Sequence, residues 1–484
     1  MSSAKLPIVA IVGRANVGKS SLFNAILERR EAIVAKEAGT TRDSLTAKAS
    51  WRGQDFWLVD TAGMKDAEDE FEFTIQEQIE QAVDSADIIW VVTEANIPIT
   101  EEDRRVAKLA LKSRKPVFLI VNKVDKAKGA DLDAFMRLGI KPIIHTSTTQ
   151  HRGIGEVLDL LVENIPKATL TEDDNRVRVA LLGRPNVGKS YLFNTLAKKQ
   201  QAIVADVAGT TRDINRTTVK YQGREIEIMD TAGIRRPGKI GQGIEHFSVI
   251  RSLSAIEQAD VCLLLMDASE LNVALDQKIA GMIKESGKGL ILVVSKWDAV
   301  EGRDAFTRDA LAPQIAATYD FVPWAPLIFT SAVTGQNVTK IFDLVLDIVM
   351  RREKRISTAE LNRWLRQMVD QHPPAGLKGR NPKLNYMTQE TDNPIPAFKI
   401  FGSQTSFLHW SYRRYLERGL RERWHYEGTP VQLWFIEKHE AHKHGNSPTK
   451  EPRKNKPRVS MEIQQEKLQR KLDRKAKGSP NPNK

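Results

Sequence analysis

The chain has 484 residues, of which 41% are hydrophobic and 28% charged, with a formal net charge of +12. That length leaves room for about three domains with real cores. The single cysteine, Cys262, excludes a disulfide framework and a cysteine-built zinc cluster. No apolar run approaches the ~18–20 residues of a membrane span, and Met1 to Lys5 lead into an apolar segment without a signal-peptide core. A cytoplasmic protein without membrane attachment is expected.

The first strand-like run, 7–12, is followed by Gly13-Arg14-Ala15-Asn16-Val17-Gly18-Lys19-Ser20, which opens a helical pattern. A polar loop then carries Thr40-Thr41. The run 55–60 ends in Asp60-Thr61-Ala62-Gly63, followed by Met64. Further strand-like runs lie at 87–92, 116–121 and 142–146. The second of these precedes Asn122-Lys123-Val124-Asp125, and the third precedes Ser147-Thr148. Pro166 and the polar stretch 167–175 read as a linker.

The same motifs then return, three of them at an offset of 170 residues: Gly183-Arg184-Pro185-Asn186-Val187-Gly188-Lys189-Ser190, Thr210-Thr211, and Asp230-Thr231-Ala232-Gly233 before Ile234. Strand-like runs at 177–182, 224–229, 260–266, 289–294 and 325–330 repeat the alternation of short apolar segments with helix-length ones. The pattern predicts two α/β domains, each a mainly parallel sheet with helices on both faces. Ligands of such sheets sit at the carboxyl ends of the strands, where these motifs fall.

The spacing G-x-x-x-x-G-K-[ST] between a strand and a helix is that of a phosphate-binding loop, whose amide N–H groups face phosphate oxygens. Lys19 and Lys189 are expected to reach the β- and γ-phosphates, and Ser20 and Ser190 to bind Mg²⁺. Thr41 and Thr211 are placed to join Mg²⁺ when a γ-phosphate is present. Asp60 and Asp230 suit a water-mediated contact to Mg²⁺, and Gly63 and Gly233 a hydrogen bond to the γ-phosphate. Asp125 can accept from N1–H and the exocyclic amine of guanine, a pair that adenine lacks. Asp298 keeps that reader in Ser295-Lys296-Trp297-Asp298, where Ser295 in place of an amide predicts weaker bracing of the loop. Ser147-Thr148 and Ser331-Ala332 are candidates for a backbone contact to the base oxygen. Two further departures separate the copies: Tyr191 stands where the first has Ser21, and Asp267 is matched to Thr93.

In the last third, Ile356, Leu361, Trp364, Leu365 and Met368 mark an amphipathic helix over 356–371. Strands are expected at Phe398 to Phe401 and Val431 to Phe435, around a helix at 409–423 carrying Arg413, Arg414, Arg418, Arg421 and Arg423. Counted from the sequence, the net charge is −3 for residues 1–350, +6 for 351–437 and +9 for 438–484. A basic region concentrated at one end is the footprint of a nucleic-acid partner. Residues 438–484 have the composition of a disordered tail, with helix possible only at 459–475.

Together these motifs resemble the guanine-nucleotide set of P-loop GTPases, and the tandem arrangement resembles the Der/EngA family of double-GTPase ribosome-assembly factors. The likeness extends to Leu361-Asn362-Arg363, His372-Pro373-Pro374, Tyr386-Met387-Thr388-Gln389, Ser411-Tyr412-Arg413-Arg414-Tyr415-Leu416 and Glu427-Gly428-Thr429-Pro430. The resemblance implies a first GTPase domain at 1–166, a linker at 167–175, a second GTPase domain at 176–352, a KH-like domain at 353–437 and a basic disordered tail at 438–484. It implies GTP and GDP as ligands, gripped by residues 13–20, 60–64 and 122–125 and by 183–190, 230–234 and 295–298. It further implies Mg²⁺, the 50S subunit and its rRNA as partner, and a monomer. Met64 and Ile234 are apolar where other GTPases place a water-orienting glutamine. In that situation the family resemblance implies K⁺, held by Asn16 and Asn186. Rival readings are an rRNA-binding scaffold with mainly structural nucleotide sites and a tRNA-modification GTPase, which would normally carry a cysteine-bearing helical domain.

Overall fold

The computed structural model describes residues 6–28, 46–61, 75–127, 132–165, 176–199, 215–230, 252–300, 302, 304–374, 376–377, 379–391 and 393–437. The expected linker 167–175 and tail 438–484 lie outside these residues.

The first nucleotide-type domain is a six-stranded sheet of order β2-β3-β1-β4-β5-β6. Its strands are β1 (Ile8–Val12), β2 (Thr46–Trp51), β3 (Gln54–Asp60), β4 (Ile88–Glu94), β5 (Val117–Asn122) and β6 (Ile143–His145). All neighbours are parallel except β2 against β3. The second sheet has the same topology, with β7 (Val177–Leu182), β8 (Asn215–Tyr221), β9 (Arg224–Asp230), β10 (Val261–Asp267), β11 (Gly289–Ser295) and β12 (Leu327–Phe329). β1, β4 and β5 are buried along their whole length because helices cover both faces of a parallel sheet. The antiparallel edge strands β2 and β8 have no counterpart in the sequence reading. Thr46-Ala47-Lys48-Ala49-Ser50-Trp51 is half polar, and it is strand only because β3 offers an edge through a tight turn at Arg52-Gly53.

The two domains touch. The Glu257 carboxylate, on a helical segment at 252–258, accepts from Trp57 Nε1 at 2.8 Å and from Leu6 N at 3.1 Å across the junction. Lys288, also buried, donates to the Glu257 carbonyl at 3.0 Å. One apolar cluster runs from Trp57 and Ile79 in the first domain to Ile256 and Met282 in the second.

The third module is a three-stranded sheet, β13 (Lys383–Glu390), β14 (Ala397–Ser403) and β15 (Gln432–Glu437), with helices Thr358–Gln371 and Trp410–Trp424 on one face. The sequence pattern does not predict β13, whose alternation is broken where the register shifts between Leu384 and Tyr386. The Glu427–Pro430 loop plugs this module onto the second domain: Gly428 N donates to Trp324 O at 2.6 Å, and Leu290 N to Gly428 O at 2.9 Å. At Gly428 (φ +76°) a Cβ would come within 2.3 Å of Ile348, so the joint requires glycine. Arg352 seals it with 3.0 Å bonds to Gly287 O, Thr429 Oγ1 and Pro394 O.

Candidate functional site

Each phosphate loop turns sharply at the end of β1 or β7. Gly13 has φ +155° and a Cβ there would meet Val92 O at 2.4 Å; Gly183 (φ +134°) meets Leu265 O at the same distance. Asn16 and Asn186 adopt left-handed φ of 64° and 65° and are exposed. Lys19 and Lys189 are buried, and their ammonium groups return to the loop: Lys19 Nζ to Gly13 O and Arg14 O at 2.8 Å each, Lys189 Nζ to Gly183 O at 2.8 Å and Arg184 O at 2.6 Å. Ser20 and Ser190 follow, exposed, in the first turn of helices Lys19–Leu27 and Lys189–Lys199. Asp60 and Asp230 end β3 and β9 beside these loops, both buried.

Thr61 also belongs to this edge, donating to Ile11 O at 2.8 Å. Thr41, Ala62, Gly63, Met64, Thr211, Thr231, Ala232, Gly233 and Ile234 lie outside the described residues, as do Thr40 and Thr210.

The base-side loops brace the phosphate loops. In the first copy, Asn122 Nδ2 donates to Val17 O at 3.1 Å and Asn122 Oδ1 accepts from Thr146 Oγ1 at 3.2 Å. Lys123 Nζ reaches Asn16 O at 2.7 Å and Glu94 Oε1 at 3.0 Å. Asp125, in the short turn begun by Val124, accepts from Ser147 Oγ at 2.6 Å, and that hydrogen bond holds its carboxyl below the ordinary range. In the second copy the brace is simpler, a serine hydroxyl with one proton where Asn122 makes two side-chain bonds. Ser295 Oγ lies 2.6 Å from Val187 O and 2.9 Å from Met266 O, so a shorter side chain on an equivalent strand reaches the equivalent carbonyl. Lys296 Nζ goes to Asp267 Oδ2 at 2.7 Å. Trp297 is buried edge-on against Phe329, ring centroids 4.8 Å apart. Asp298 Oδ1 is buried without a hydrogen-bond partner among the described residues.

The matching of Asp267 with Thr93 is also corrected. Glu94 pairs with Asn122 and Asp267 with Ser295 across β4–β5 and β10–β11, so Asp267 corresponds to Glu94. A longer segment before β10 shifts the offset from 170 to 173 residues, which places Glu94 and not Thr93 at this position.

The hard oxygen donors Ser20, Asp60, Ser190 and Asp230 fit Mg²⁺. No group of three or more His, Cys, Asp or Glu gathers as a metal site among the described residues, so phosphate oxygens would have to complete its shell.

On the third module, residues alternate between a helix-covered face (Met387, Phe398, Ile400) and an open face. The open face carries Tyr386 opposite Phe401, ring centroids 6.0 Å apart, and Lys399 5.8 Å above Trp434. An open cleft of about 500 Å³ borders it, lined by Glu390, Asn393, Pro394, Lys399 and Trp434. Of the helix arginines, Arg421 is structural, paired with Glu417 and donating to Tyr426 O and Thr429 O. Arg418 pairs with Glu422, while Arg423 lies 3.9 Å from Glu360. Arg413 and Arg414 lie over Phe435 and Trp410. The exposed aromatics of the sheet were missed in the sequence because the unrecognised β13 hid their common face.

No helix among the described residues is long and apolar enough to cross a membrane. Comparison with known proteins agrees with this architecture. A family profile described as "50S ribosome-binding GTPase" matches residues 8–123 and again 178–296, and one described as the C-terminal "KH-domain-like of EngA bacterial GTPase enzymes" matches 355–435. The chain is similar to GTPase Der of Chloroflexus aggregans, 44% identical over 439 residues that cover 89% of this chain and 97% of the relative. It is also similar to GTPase Der of Gemmatimonas aurantiaca, 40% identical over 88% of this chain and 98% of the relative. Two repeated nucleotide domains, the appended KH-like module and end-to-end similarity at this level lead to one conclusion: the chain belongs to the Der (EngA) family of GTPases.

Proposed function

We propose that the chain hydrolyses GTP at two tandem sites and uses the two nucleotide states to steer its KH-like module on rRNA during assembly of the 50S subunit. The observation that carries this reading is the same in both copies: a buried lysine, a strand-end aspartate and the aspartate of the base-side loop converge at the carboxyl ends of parallel strands. Lys19 and Lys189 orient the β- and γ-phosphates, loop amides donate to phosphate oxygens, and Asp125 and Asp298 select guanine. Ser20 with Thr41, and Ser190 with Thr211, would hold Mg²⁺, which when bound offsets charge on the phosphates. Asn16 and Asn186, exposed at the loop crests, would hold K⁺.

Met64 and Ile234 cannot orient water by hydrogen bonding, so hydrolysis should be slow without K⁺. Matched rates in KCl and NaCl would exclude the cation. For the partner, the support is charge and surface: a net charge of +6 over residues 351–437, with Tyr386, Phe401, Trp434 and Lys399 on one open sheet face. Aromatic faces stack unpaired bases, and positive charge draws phosphate. Cosedimentation with 50S particles in GTP analogue, GDP or no nucleotide tests the whole. Nucleotide-dependent pelleting is expected; pelleting indifferent to nucleotide would favour an rRNA-binding scaffold.

A further inference from the structure

The arginine after the first glycine of each phosphate loop is clamped, and the two clamps differ. Arg184 donates Nε to Asp276 Oδ2 at 3.0 Å, Nη1 to Glu270 Oε2 at 2.7 Å and Nη2 to Glu270 O at 2.9 Å. Arg14 reaches Glu94 Oε2 only at 3.4 Å and lies 3.5 Å from Asp103 Oδ1. That last contact lacks hydrogen-bond geometry: Arg14 Nε and Asp103 Oδ1 are both buried without a hydrogen-bond partner among the described residues.

The cause lies one turn away. Asp103 and Asp276 hold the same third position in helices Glu101–Lys112 and Ala274–Glu285. In the first copy Thr100 caps the helix, and Asp103 Oδ2 is taken by Thr100 N at 3.0 Å and Thr100 Oγ1 at 2.8 Å, a closed capping box. In the second copy the capping position is Val273, which has no side-chain acceptor or donor, and Asp276 is left to Arg184. Each arginine's own carbonyl is in turn an acceptor for the loop lysine, at 2.8 Å in the first copy and 2.6 Å in the second.

We infer that Arg14 and Arg184 are positioning residues for the phosphate-loop lysines, and that the helix-capping residue, Thr100 or Val273, sets how firmly each loop is held. A capped helix leaves the loop arginine loosely held; an uncapped one frees the aspartate to tighten it. The second loop is thereby preorganised, and nucleotide leaves it more slowly. This inference rests on the reading of both loops as guanine-nucleotide sites.

The test uses the full chain with one site silenced to guanine. Asp125→Asn or Asp298→Asn exchanges a carboxylate acceptor for an amide that can donate to the extra carbonyl of xanthine, so fluorescent GDP then reports only the other site. In the Asp125→Asn chain, Val273→Thr should speed fluorescent GDP release from the second site by about tenfold. In the Asp298→Asn chain, Thr100→Val should slow release from the first site, although loss of a helix cap lowers the melting temperature. A purely structural role for Thr100 predicts the opposite sign, faster release from a less stable protein. Unchanged or faster release in Thr100→Val, or unchanged release in Val273→Thr, overturns the inference. Failure of the aspartate variants to trade GDP for XDP would overturn instead the guanine reading beneath it.

Discussion

The Ser295 hydroxyl sits 2.6 Å from the Val187 carbonyl, the place that Asn122 takes against Val17 at 3.1 Å in the other copy. Two different side chains thus satisfy one buried loop acceptor. Removing the hydroxyl leaves that carbonyl unpaired at about 1–3 kcal/mol. Ser295→Ala should therefore weaken GDP binding at the second site by about 5- to 150-fold, read by fluorescent GDP titration in the Asp125→Asn chain. Binding within twofold of the parent would show that the brace is dispensable.

The two braces leave different room. A Cβ on Gly18 would lie 2.3 Å from Asn122 Nδ2, whereas on Gly188 the nearest atom, Ser295 Oγ, is 4.0 Å away. Both glycines share φ +97°, so either alanine is strained by about 1–2 kcal/mol, and only Gly18→Ala adds a clash. Nucleotide uptake should vanish at the first site in Gly18→Ala and persist, weakened, at the second in Gly188→Ala. Isothermal titration of the two variants distinguishes these outcomes; equal losses would refute the steric account.

Glu257 is the polar link from the second domain to Trp57 and Leu6 of the first. Glu257→Ala strands the Trp57 indole N–H and the Leu6 amide, costing about 1–3 kcal/mol for each donor left buried. The expected result is a lower first melting transition in calorimetry and faster proteolysis at the domain junction. A melting curve that superposes on the parent would show that apolar packing alone holds the junction.

Trp434→Ala and Tyr386→Ala remove rings from the open sheet face without touching either nucleotide site. Base stacking on an aromatic side chain contributes about 1–3 kcal/mol per base. Each variant should lower affinity for single-stranded rRNA fragments by about 5- to 150-fold and leave GTP turnover in free protein unchanged. RNA binding that survives both substitutions would place the RNA elsewhere.

Asp276 has its pKa raised from 3.8 to about 6, because burial outweighs the pull of Arg184. The folded chain therefore holds this proton more tightly than the unfolded chain does. The resulting stability is complete below about pH 4 and is lost as pH rises through 6, on the order of 3 kcal/mol in all. Urea unfolding between pH 4 and 7 should show that decline relative to Asp276→Asn, which cannot titrate. Parallel pH profiles for the two chains would refute the assignment.

The duplicated domain, the phosphate loops, the motifs around Asp125 and Asp298 and the basic C-terminal end were legible in the amino-acid order, because they depend on local spacing: glycines where backbone must turn, lysine and serine opening the helix that follows a strand. Most core strands were legible for a similar reason, being apolar runs of strand length. The half-polar edges Thr46–Trp51 and Asn215–Tyr221 were not, since only a neighbouring strand makes them extended, and the bulged strand Lys383–Glu390 was hidden by its broken alternation. Nor could spacing show that Ser295 reaches Val187, that Glu94 stands for Asp267, or that Val273 releases Asp276 to Arg184. Those outcomes turn on ångström differences between side chains distant in the chain, and such distances exist only once the sheets and helices are packed together.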